Sequence, residues 1–223
     1  MIRESFLKKW YHAESGTVGT GSQACQAFAL WLDILPEEGR QKAAELMRND
    51  LVAKDYRFTT GNLCTRYLIE QLARYGYVDD AWTLLCRQEY PSFGYMLQNE
   101  ATTVWERFEL KKNCVMNSHN HPMHASSYRW LYAYLLGLTP TGGGWRRFSV
   151  KPVLPRDLLS ASATVETPPG DVTLRWVKRY SEIHIYLTVP HGATADVELP
   201  WGDRLAAPEG FHHYAHPLET DLK

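Results

Sequence analysis

The composition of this chain is that of a folded protein. It has 223 residues, of which 44% are hydrophobic and 13% aromatic, enough for a full core. The net charge is −1 and the lysines and arginines are scattered, so no basic stripe can neutralise a phosphate backbone and nucleic acid is excluded as a partner. No apolar run approaches the roughly 18 residues of a membrane span, and the first residues lack the apolar core of a secretory signal. These features predict a cytoplasmic protein without a membrane partner.

The first half of the sequence has the periodicity of paired helices. Ser22 is a predicted N-cap, and the helix that follows it is predicted to end at Pro36. A second helix is predicted to begin there, because two glutamates follow the proline and suit the positive end of the helix dipole. Two further helices are predicted within 59–76 and 78–87. Helix pairs that recur at intervals of roughly 40 residues indicate an all-α array or toroid.

Two residue types in these helices are assigned to the core. Trp31 and Trp82 fall at helical spacing, and core packing is the stronger interpretation of both. The four cysteines form no C-x-x-C pair, and we interpret them as reduced thiols in or near the core: Cys25, Cys64, Cys86 and Cys114.

Residues 89–124 interrupt the helical pattern with prolines, glycines and asparagines. A loop of this length inside a helical domain is usually functional. After it, three leucines at helical spacing predict a fifth helix: Leu131, Leu135 and Leu138. Its end is predicted at 139–144, where a triple glycine marks the boundary between a helical domain, 1–144, and a second domain, 145–223.

Beyond Trp145 the alternation of apolar and polar residues predicts short strands. The predicted strands are 148–152, 161–166, 172–176, 183–187 and 194–199. Strands of this number and length, punctuated by turn residues, predict a small antiparallel β-sandwich.

The strongest candidate for chemistry is Glu106, between Trp105 and Arg107 in the segment A-T-T-V-W-E-R. A carboxylate beside an indole and a guanidinium can be held ionised and oriented, as a general base that activates water requires. Aromatic walls also suit the apolar faces of a sugar. A glutamate in such a triplet is commonly an ordinary surface or salt-bridged residue as well. On the residues alone, Glu100 and Glu109 compete with it.

Three histidines follow in the order His119, His121 and His124, a spacing that admits a zinc or iron site if a carboxylate joins them. Loop histidines that only hydrogen-bond are commoner, and no H-E-x-x-H motif or Asp/Cys cluster accompanies these. The neighbouring amides of Asn117 and Asn120 suit hydroxyl recognition better than metal ligation. We therefore predict no metal and no cofactor.

Several segments, in the family's order, resemble bacterial α-L-rhamnosidases of glycoside hydrolase family 78. They are G-S-Q at 21–23, F-T-T-G-N-L at 58–63, E-Y-P-S-F-G-Y-M at 89–96, A-T-T-V-W-E-R at 101–107, M-N-S-H-N-H at 116–121 and F-S-V-K-P at 148–152. The resemblance extends over nearly the whole chain from Gly21 to Gly202. The combination of A-T-T-x-W-E with M-N-S-x-N-H is specific.

The resemblance implies a fold, a reaction and a set of site residues. The family's catalytic domain is an (α/α)6 toroid that hydrolyses terminal α-L-rhamnose with inversion, so we expect a partial (α/α)6-toroid helical domain followed by the β-sandwich. Carried over onto this sequence, the general base is Glu106 and the sugar-contacting histidine is His121. Trp105 and Asn120 complete the expected substrate site. The expected partners are rhamnose-containing glycosides.

The resemblance does not extend to the general acid. Inverting hydrolysis needs a second carboxyl group about 6.5 to 9.5 Å from the first. In the family this group lies upstream in an acidic D-x-x-R-x-E-like segment, which residues 1–99 do not match. The sequence also predicts about five helices where the toroid needs twelve. The first helices are therefore expected to expose a face that a missing N-terminal portion or a second copy of the chain covers.

Three functional hypotheses follow. The first is the C-terminal portion of an α-L-rhamnosidase, present as a fragment of such an enzyme. The alternative, motivated by the missing acid, is a non-catalytic carbohydrate-binding or structural remnant. A metal-dependent hydrolase is a third hypothesis that rests on the histidine spacing alone.

Overall fold

The computed structural model describes residues 2–110 and 118–218, which belong to two compact units. The first unit is Met1–Tyr128 and the second is Arg129–Lys223. A helical domain followed by a β-rich domain confirms the predicted fold class. Within the described residues, no helix is both long and apolar enough to cross a bilayer.

The described part of the first unit is built mainly from seven α-helices. They are α1 (Ile2–Trp10), α2 (Gln23–Trp31), α3 (Glu37–Ala53), α4 (Thr65–Arg74), α5 (Val78–Cys86), α6 (Phe93–Gln98) and α7 (Pro122–Ala125), which leads into a 3-10 turn (Ser126–Tyr128). Two short strands, β1 (Tyr11–His12) and β2 (Thr17–Val18), pair antiparallel between α1 and α2. α2 packs on α3 and α4, and α4 packs on α5, as consecutive helical hairpins do.

The starts of the first long helices follow from local sequence, whereas α2 ends at Trp31, before its predicted end at Pro36. Ser22 confirms its predicted role as N-cap of α2, because its hydroxyl oxygen accepts a hydrogen bond from the backbone N–H of Cys25 (3.3 Å). α3 begins directly after Pro36, and its first turn carries Glu37 and Glu38 at the positive end of the helix dipole. The apolar faces of these helices and of α4 and α5 meet in a core whose fully buried members are Leu30, Leu35, Met47, Leu51, Leu68, Ile69, Leu72 and Leu84.

Helix α4 begins later than the sequence predicts. The chain turns at Gly61, whose carbonyl accepts hydrogen bonds from the backbone N–H groups of Cys64 (3.0 Å) and Thr65 (3.1 Å), so regular helix starts only at Thr65. The predicted end is confirmed at Gly76, which adopts a left-handed φ of +90°. The delayed start leaves residues 58–62 in a loop that is available to line a cavity.

The interrupted stretch 89–124 contains two helices that its sequence does not predict, α6 and α7. α6 is capped by Ser92, whose hydroxyl oxygen accepts from the backbone N–H of Tyr95 (2.9 Å). A helix of six residues is too short to produce a recognisable apolar period.

Two side chains assigned to the core are exposed. Trp31 is 39% exposed, and its ring packs on Tyr67 with the ring centres 4.0 Å apart. Cys86 is also exposed, whereas Cys64 is buried and Cys25 is half-buried; all three are free thiols. Cys114 lies outside the described residues.

The described part of the second unit consists mainly of eight strands. They are β3 (Leu138–Pro140), β4 (Arg147–Val150), β5 (Ser160–Val165), β6 (Val172–Arg179), β7 (Glu182–Val189), β8 (Thr194–Glu198), β9 (Arg204–Ala207) and β10 (Gly210–Pro217). They form two four-stranded sheets with the orders β10-β7-β6-β5 and β3-β4-β8-β9. All pairs are antiparallel except β4 with β8, in which Arg147 lies opposite Thr194. The predicted sandwich thus contains one parallel pair, because the chain between β4 and β8 forms most of the other sheet.

The predicted fifth helix is shorter than its leucine spacing indicates. Residues Leu131–Leu135 form one π-helical stretch, and Gly137, with φ +68°, redirects the chain so that Leu138 begins β3. The triple glycine belongs to the loop between β3 and β4, where the N–H groups of Thr141 and Gly142 both donate to the carbonyl O of Arg147 (2.9 Å each). Whether the domains divide at residue 144 stays a prediction.

Each sheet of the second unit buries alternate side chains. In β6 and β7 these include Leu174, Trp176, Ile185 and Leu187, as the period of two predicts. The buried indole of Trp176 also donates from Nε1 to the carbonyl O of Leu135 (2.9 Å), which satisfies its polar group and holds the π-helical stretch.

Candidate active site

Glu106 lies in a stretch of chain that pairs with the stretch ending at His121. The backbone N–H of Glu106 donates to the carbonyl O of Ser118 (2.8 Å), and the N–H of His121 donates to the carbonyl O of Val104 (2.8 Å). Val104 comes before Glu106 in the chain but pairs with His121, which comes after Ser118. The two stretches therefore run antiparallel. This pairing fixes the backbone at the candidate base and just before it.

The carboxylate of Glu106 is held by the same partner. Its Oε2 accepts a hydrogen bond from the backbone N–H of Ser118 (3.0 Å), so backbone and side chain of Glu106 both bind one residue. A hydrogen bond to an ionised acceptor is stronger than one between neutral groups. The side chain is half-buried. Glu106 is therefore oriented by the fold, which is what a general base needs and what a surface glutamate lacks.

The carboxylate borders a cavity of about 460 Å³. The described residues that line it are Phe58, Thr59, Thr60, Gly61, Asn62, Tyr90, Pro91, Glu106, Arg107, Phe108, Glu109 and His124. Aromatic rings, hydroxyls, an amide and charged groups share this wall. Such a mixture suits a sugar, which has apolar faces and hydroxyl edges.

A buried glutamine positions one wall of the cavity. Gln23, in the first turn of α2, is fully buried; its Oε1 accepts from the backbone N–H of Thr59 (3.0 Å) and its Nε2 donates to the carbonyl O of Arg57 (3.2 Å). Side-chain bonds to backbone on both sides of Phe58 hold the loop before α4 in place. The site is therefore supported by a helix distant from Glu106 in sequence.

Two titratable side chains on the cavity wall are uncharged at neutral pH. Burial raises the pKa of the Tyr90 phenol, and the nearby charge of Glu109 raises it further. Burial lowers the pKa of His124, an effect that its hydrogen bond to the Trp105 carbonyl only partly opposes.

His124 connects this wall to the segment that carries Glu106. It is 1% exposed, and its Nδ1–H donates to the carbonyl O of Trp105 (3.0 Å). Its ring packs edge-on against Phe108, with centres 4.4 Å apart, and lies 5.1 Å from the ring of Phe93. Its other nitrogen, Nε2, is buried and has no hydrogen-bond partner among the described residues.

The other predicted site residues lie beside Glu106 but outside the cavity wall. Trp105 is only 3% exposed and stacks on the ring of His119 with centres 4.8 Å apart. Asn120 is exposed. His121 is half-buried and precedes α7, and its Nδ1 has no hydrogen-bond partner within residues 2–110 and 118–218. Their roles as sugar contacts stay predictions, and Asn117 lies outside the described residues.

The structure separates the competing carboxylates. Glu109 lines the same cavity as Glu106, whereas Glu100 is exposed in a turn with φ +61° and does not. In the described ranges, no three His, Cys, Asp or Glu side chains are grouped as a metal site would require.

Several cavity residues have no signal of their own in the sequence. The segments F-T-T-G-N-L and E-Y-P resemble the family's sequence, but the resemblance assigns no role to the cavity residues within them. These residues are Phe58, Thr60, Asn62 and Tyr90. Gln23 follows the N-cap of α2 in the word G-S-Q. Only the fold shows that these words meet around one cavity.

A second, more apolar cavity of about 430 Å³ adjoins the first at Asn62. Its aromatic wall consists of Phe28, Trp31 and Tyr67, with the guanidinium of Arg66 lying 5.3 Å from the centre of the Tyr67 ring. Exposed apolar side chains in its lining include Trp31, Leu63 (59%) and Met123 (43%). We call this surface the apolar face.

Comparisons with known proteins agree with the fold. The family model described as bacterial alpha-L-rhamnosidase 6 hairpin glycosidase domain matches residues 1–135, and that of the bacterial alpha-L-rhamnosidase C-terminal domain matches residues 137–211. An alpha-L-rhamnosidase of Formosa agariphila is 32% identical over 81% of this chain, which spans 20% of that relative's length.

Solved structures show the same likeness. The native α-L-rhamnosidase of Aspergillus terreus superposes with a TM-score of 0.90 at 31% identity, covering 96% of this chain and 26% of that one. The Streptomyces avermitilis α-L-rhamnosidase in complex with L-rhamnose superposes with a TM-score of 0.90 at 27% identity, covering 96% and 23%. This chain therefore corresponds to about a quarter of each of these proteins.

Proposed function

Because this chain belongs to the bacterial α-L-rhamnosidase family, we propose that its helical unit carries the base half of an inverting glycosidase site, with Glu106 as general base. The substrate class is a glycoside with a terminal α-L-rhamnose. L-Rhamnose is the sugar bound in the structure of the Streptomyces avermitilis relative. The observation that carries the proposal is the carboxylate of Glu106, held by Ser118 at the edge of a sugar-sized cavity.

The proposed chemistry is a single displacement at the anomeric carbon. Glu106 accepts a proton from a water molecule as the water oxygen attacks the sugar from the face opposite the leaving group. The bond to the leaving oxygen breaks, and a general acid donates the proton that this oxygen needs. The fixed orientation of Glu106 favours this role because a base must hold the water at one angle and distance.

The remaining predicted residues are proposed as sugar contacts. His121 and Asn120 lie on the stretch whose backbone pairs with the stretch that carries the base, so the fold places them beside Glu106. The Nδ1 of His121 has no hydrogen-bond partner in the described part of the chain, and a sugar hydroxyl would satisfy it after a small shift of the ring. Trp105 would then act mainly by packing beneath this segment.

The origin of the general acid is open to direct test. Residues 1–99 contain no match to the family's acidic segment. Among the described residues that line the cavity, Glu109 is the second carboxylate. We propose that the acid is either Glu109 or a group outside these 223 residues.

A non-catalytic, carbohydrate-binding role is the second candidate. It is favoured by the share of each relative that this chain spans, about a fifth to a quarter. In that case the cavity binds rhamnose-containing glycosides without hydrolysing them.

The predicted cytoplasmic location stays a prediction.

The test is the release of nitrophenol from an aryl α-L-rhamnoside by the 223-residue chain, together with L-rhamnose binding followed by NMR. We expect Glu106→Gln to remove activity while leaving most of the affinity, because the amide keeps the shape of the carboxylate but cannot accept the proton. Glu100→Gln is the matched control, since it changes an exposed glutamate away from the cavity.

Each outcome decides between the two roles. Turnover that disappears in both Glu106→Gln and Glu109→Gln supports a complete site in this chain. Binding without turnover in the unchanged chain supports the second role, and near-normal turnover in Glu106→Gln would remove the assignment of the base. Absence of both turnover and binding would reject both roles for this chain.

A further inference from the structure

We propose that His124 is a positioning residue for Glu106, acting through the peptide bond that joins Trp105 to Glu106. The role rests on the proposed function of Glu106 as base, but the geometry that supports it is independent of any substrate. His124 is not one of the residues to which the sequence assigns a sugar contact.

The peptide unit between Trp105 and Glu106 is hydrogen-bonded at both of its polar atoms. Its carbonyl O accepts from Nδ1–H of His124 (3.0 Å), and its N–H donates to the carbonyl O of Ser118 (2.8 Å). A peptide unit is planar, so two bonds from opposite sides fix the orientation of the whole plane. That plane sets the direction in which the Glu106 side chain leaves the backbone.

The hydrogen-bond partner also fixes the tautomer of the imidazole. A carbonyl oxygen can only accept, so Nδ1 must carry the proton, and Nε2 of the neutral ring then carries a lone pair. Nε2 is buried, and the part of the chain that the structure describes offers it no hydrogen-bond partner. In an aromatic setting made by Phe93 and Phe108, this unsatisfied acceptor disfavours the folded state.

A histidine is therefore a poor choice at this position for packing alone. A phenylalanine would fill the same space between Phe93 and Phe108 and would bury no polar atom. What the histidine adds is the single hydrogen bond to Trp105, one peptide away from the candidate base. The buried, unsatisfied Nε2 destabilises the fold, whereas Nδ1 binds the carbonyl next to the candidate base. Together they indicate that His124 serves the site rather than the core.

Two variants separate positioning from packing. His124→Phe keeps the ring and removes the donor, whereas His124→Asn keeps a donor near the position of Nδ1 and removes most of the ring. If His124 positions Glu106, His124→Phe should be the more stable variant but should disturb the site more. His124→Asn should be the less stable variant but should keep the geometry of the site. A purely structural role would make both properties fall together.

The measurements are made on the 223-residue chain. The backbone N–H of Ser118 binds the Glu106 carboxylate, so its NMR chemical shift during an acid titration reports on that contact, and Glu106→Gln provides the flat reference curve. We expect His124→Phe to keep or raise the melting temperature, to weaken the Ser118 response, and to lower L-rhamnose affinity roughly tenfold through misorientation of the site. His124→Asn should lower the melting temperature and keep the Ser118 response.

Unchanged Ser118 titration and rhamnose affinity in His124→Phe would overturn the proposal, as would losses in both variants that follow their melting temperatures. Nitrogen chemical shifts that place the proton of His124 on Nε2 would overturn it as well. If the unchanged chain binds no rhamnose, the proposed function fails, yet the Ser118 response and the tautomer still decide whether His124 positions Glu106.

Discussion

At the scale of single residues, Glu106 and His124 differ in how far sequence alone can identify them. Glu106 is recognisable because its neighbours in A-T-T-V-W-E-R form a specific word. His124 stands only in a histidine-rich run, whose spacing admits a metal site but assigns no contact with Glu106. Its bond to Trp105 depends on how two distant stretches meet, and this information is absent from local spacing.

The thiols of Cys25 and Cys64 allow a residue-level prediction about reactivity. Burial raises the pKa of Cys64 to about 12, helped by the neighbouring Cys25. Burial also acts on Cys25, but hydrogen bonds from Ser22 and Thr20 outweigh it and lower the pKa of this thiol. The thiolate fraction at a given pH rises as the pKa falls, so Cys25 should react with iodoacetamide faster than Cys64 at the same pH. Peptide mass spectrometry after brief labelling measures this, and equal labelling of both would contradict it.

At the scale of secondary-structure elements, periodicity predicts the long helices and the two central strands of the β-unit. It fails where an element is short or presents polar residues inward. α6 is short, with six residues. β10 has polar or amphipathic side chains on its half-buried side (His212, Tyr214 and His216) and Phe211 on its exposed side, so its sequence shows no apolar alternation. Periodicity also predicts a fifth helix that is too long, because Gly137 turns the chain and Leu138 already belongs to β3.

Gly137 should be one of the least replaceable glycines in the β-unit. A Cβ there would lie 2.0 Å from the carbonyl carbon of Lys151, whose N–H donates to the Gly137 carbonyl (3.0 Å). Gly202 is the matched control, since its φ is also positive but a Cβ would meet nothing within 4 Å. We expect Gly202→Ala to lower the free energy of unfolding by about 1 to 2 kcal/mol through backbone strain alone.

Gly137→Ala should cost roughly 2 kcal/mol more than its control, because the clash is with backbone that cannot move without breaking the bond between β3 and the chain after β4. Urea unfolding followed by tryptophan fluorescence compares the two variants. Equal destabilisation would show that the loop around Lys151 relaxes freely.

At the scale of the whole molecule, the apolar face stands out. The sequence predicts that the first helices expose a surface for a missing portion or a second copy, and Trp31, Leu63 and Met123 are exposed there. Further helical hairpins of the same domain are one proposed cover, and another copy of this chain is the other. Periodicity could not show which side chains form the surface, because Trp31 has the same helical spacing as residues of the core.

An uncovered apolar face should make the isolated chain self-associate, since burying such surface against a second copy removes it from water. We expect sedimentation velocity to show species heavier than 25.6 kDa that increase with concentration. Trp31→Ser should shift the distribution toward monomer. Tyr180→Ser is the control, because Tyr180 is fully exposed in the turn between β6 and β7. A strictly monomeric chain at high concentration would show that the face needs no cover.

The parallel pairing of β4 with β8 has a consequence for how the molecule is made. β6 and β7 are hairpin neighbours that can pair as soon as both have left the ribosome, whereas β4 can pair early with β3 but must wait for β8 until β5, β6 and β7 have also been synthesised. During that delay Phe148 and Val150, fully buried in the finished protein, face water. We therefore expect that a chaperone can bind β4 in the newborn chain before β8 pairs with it.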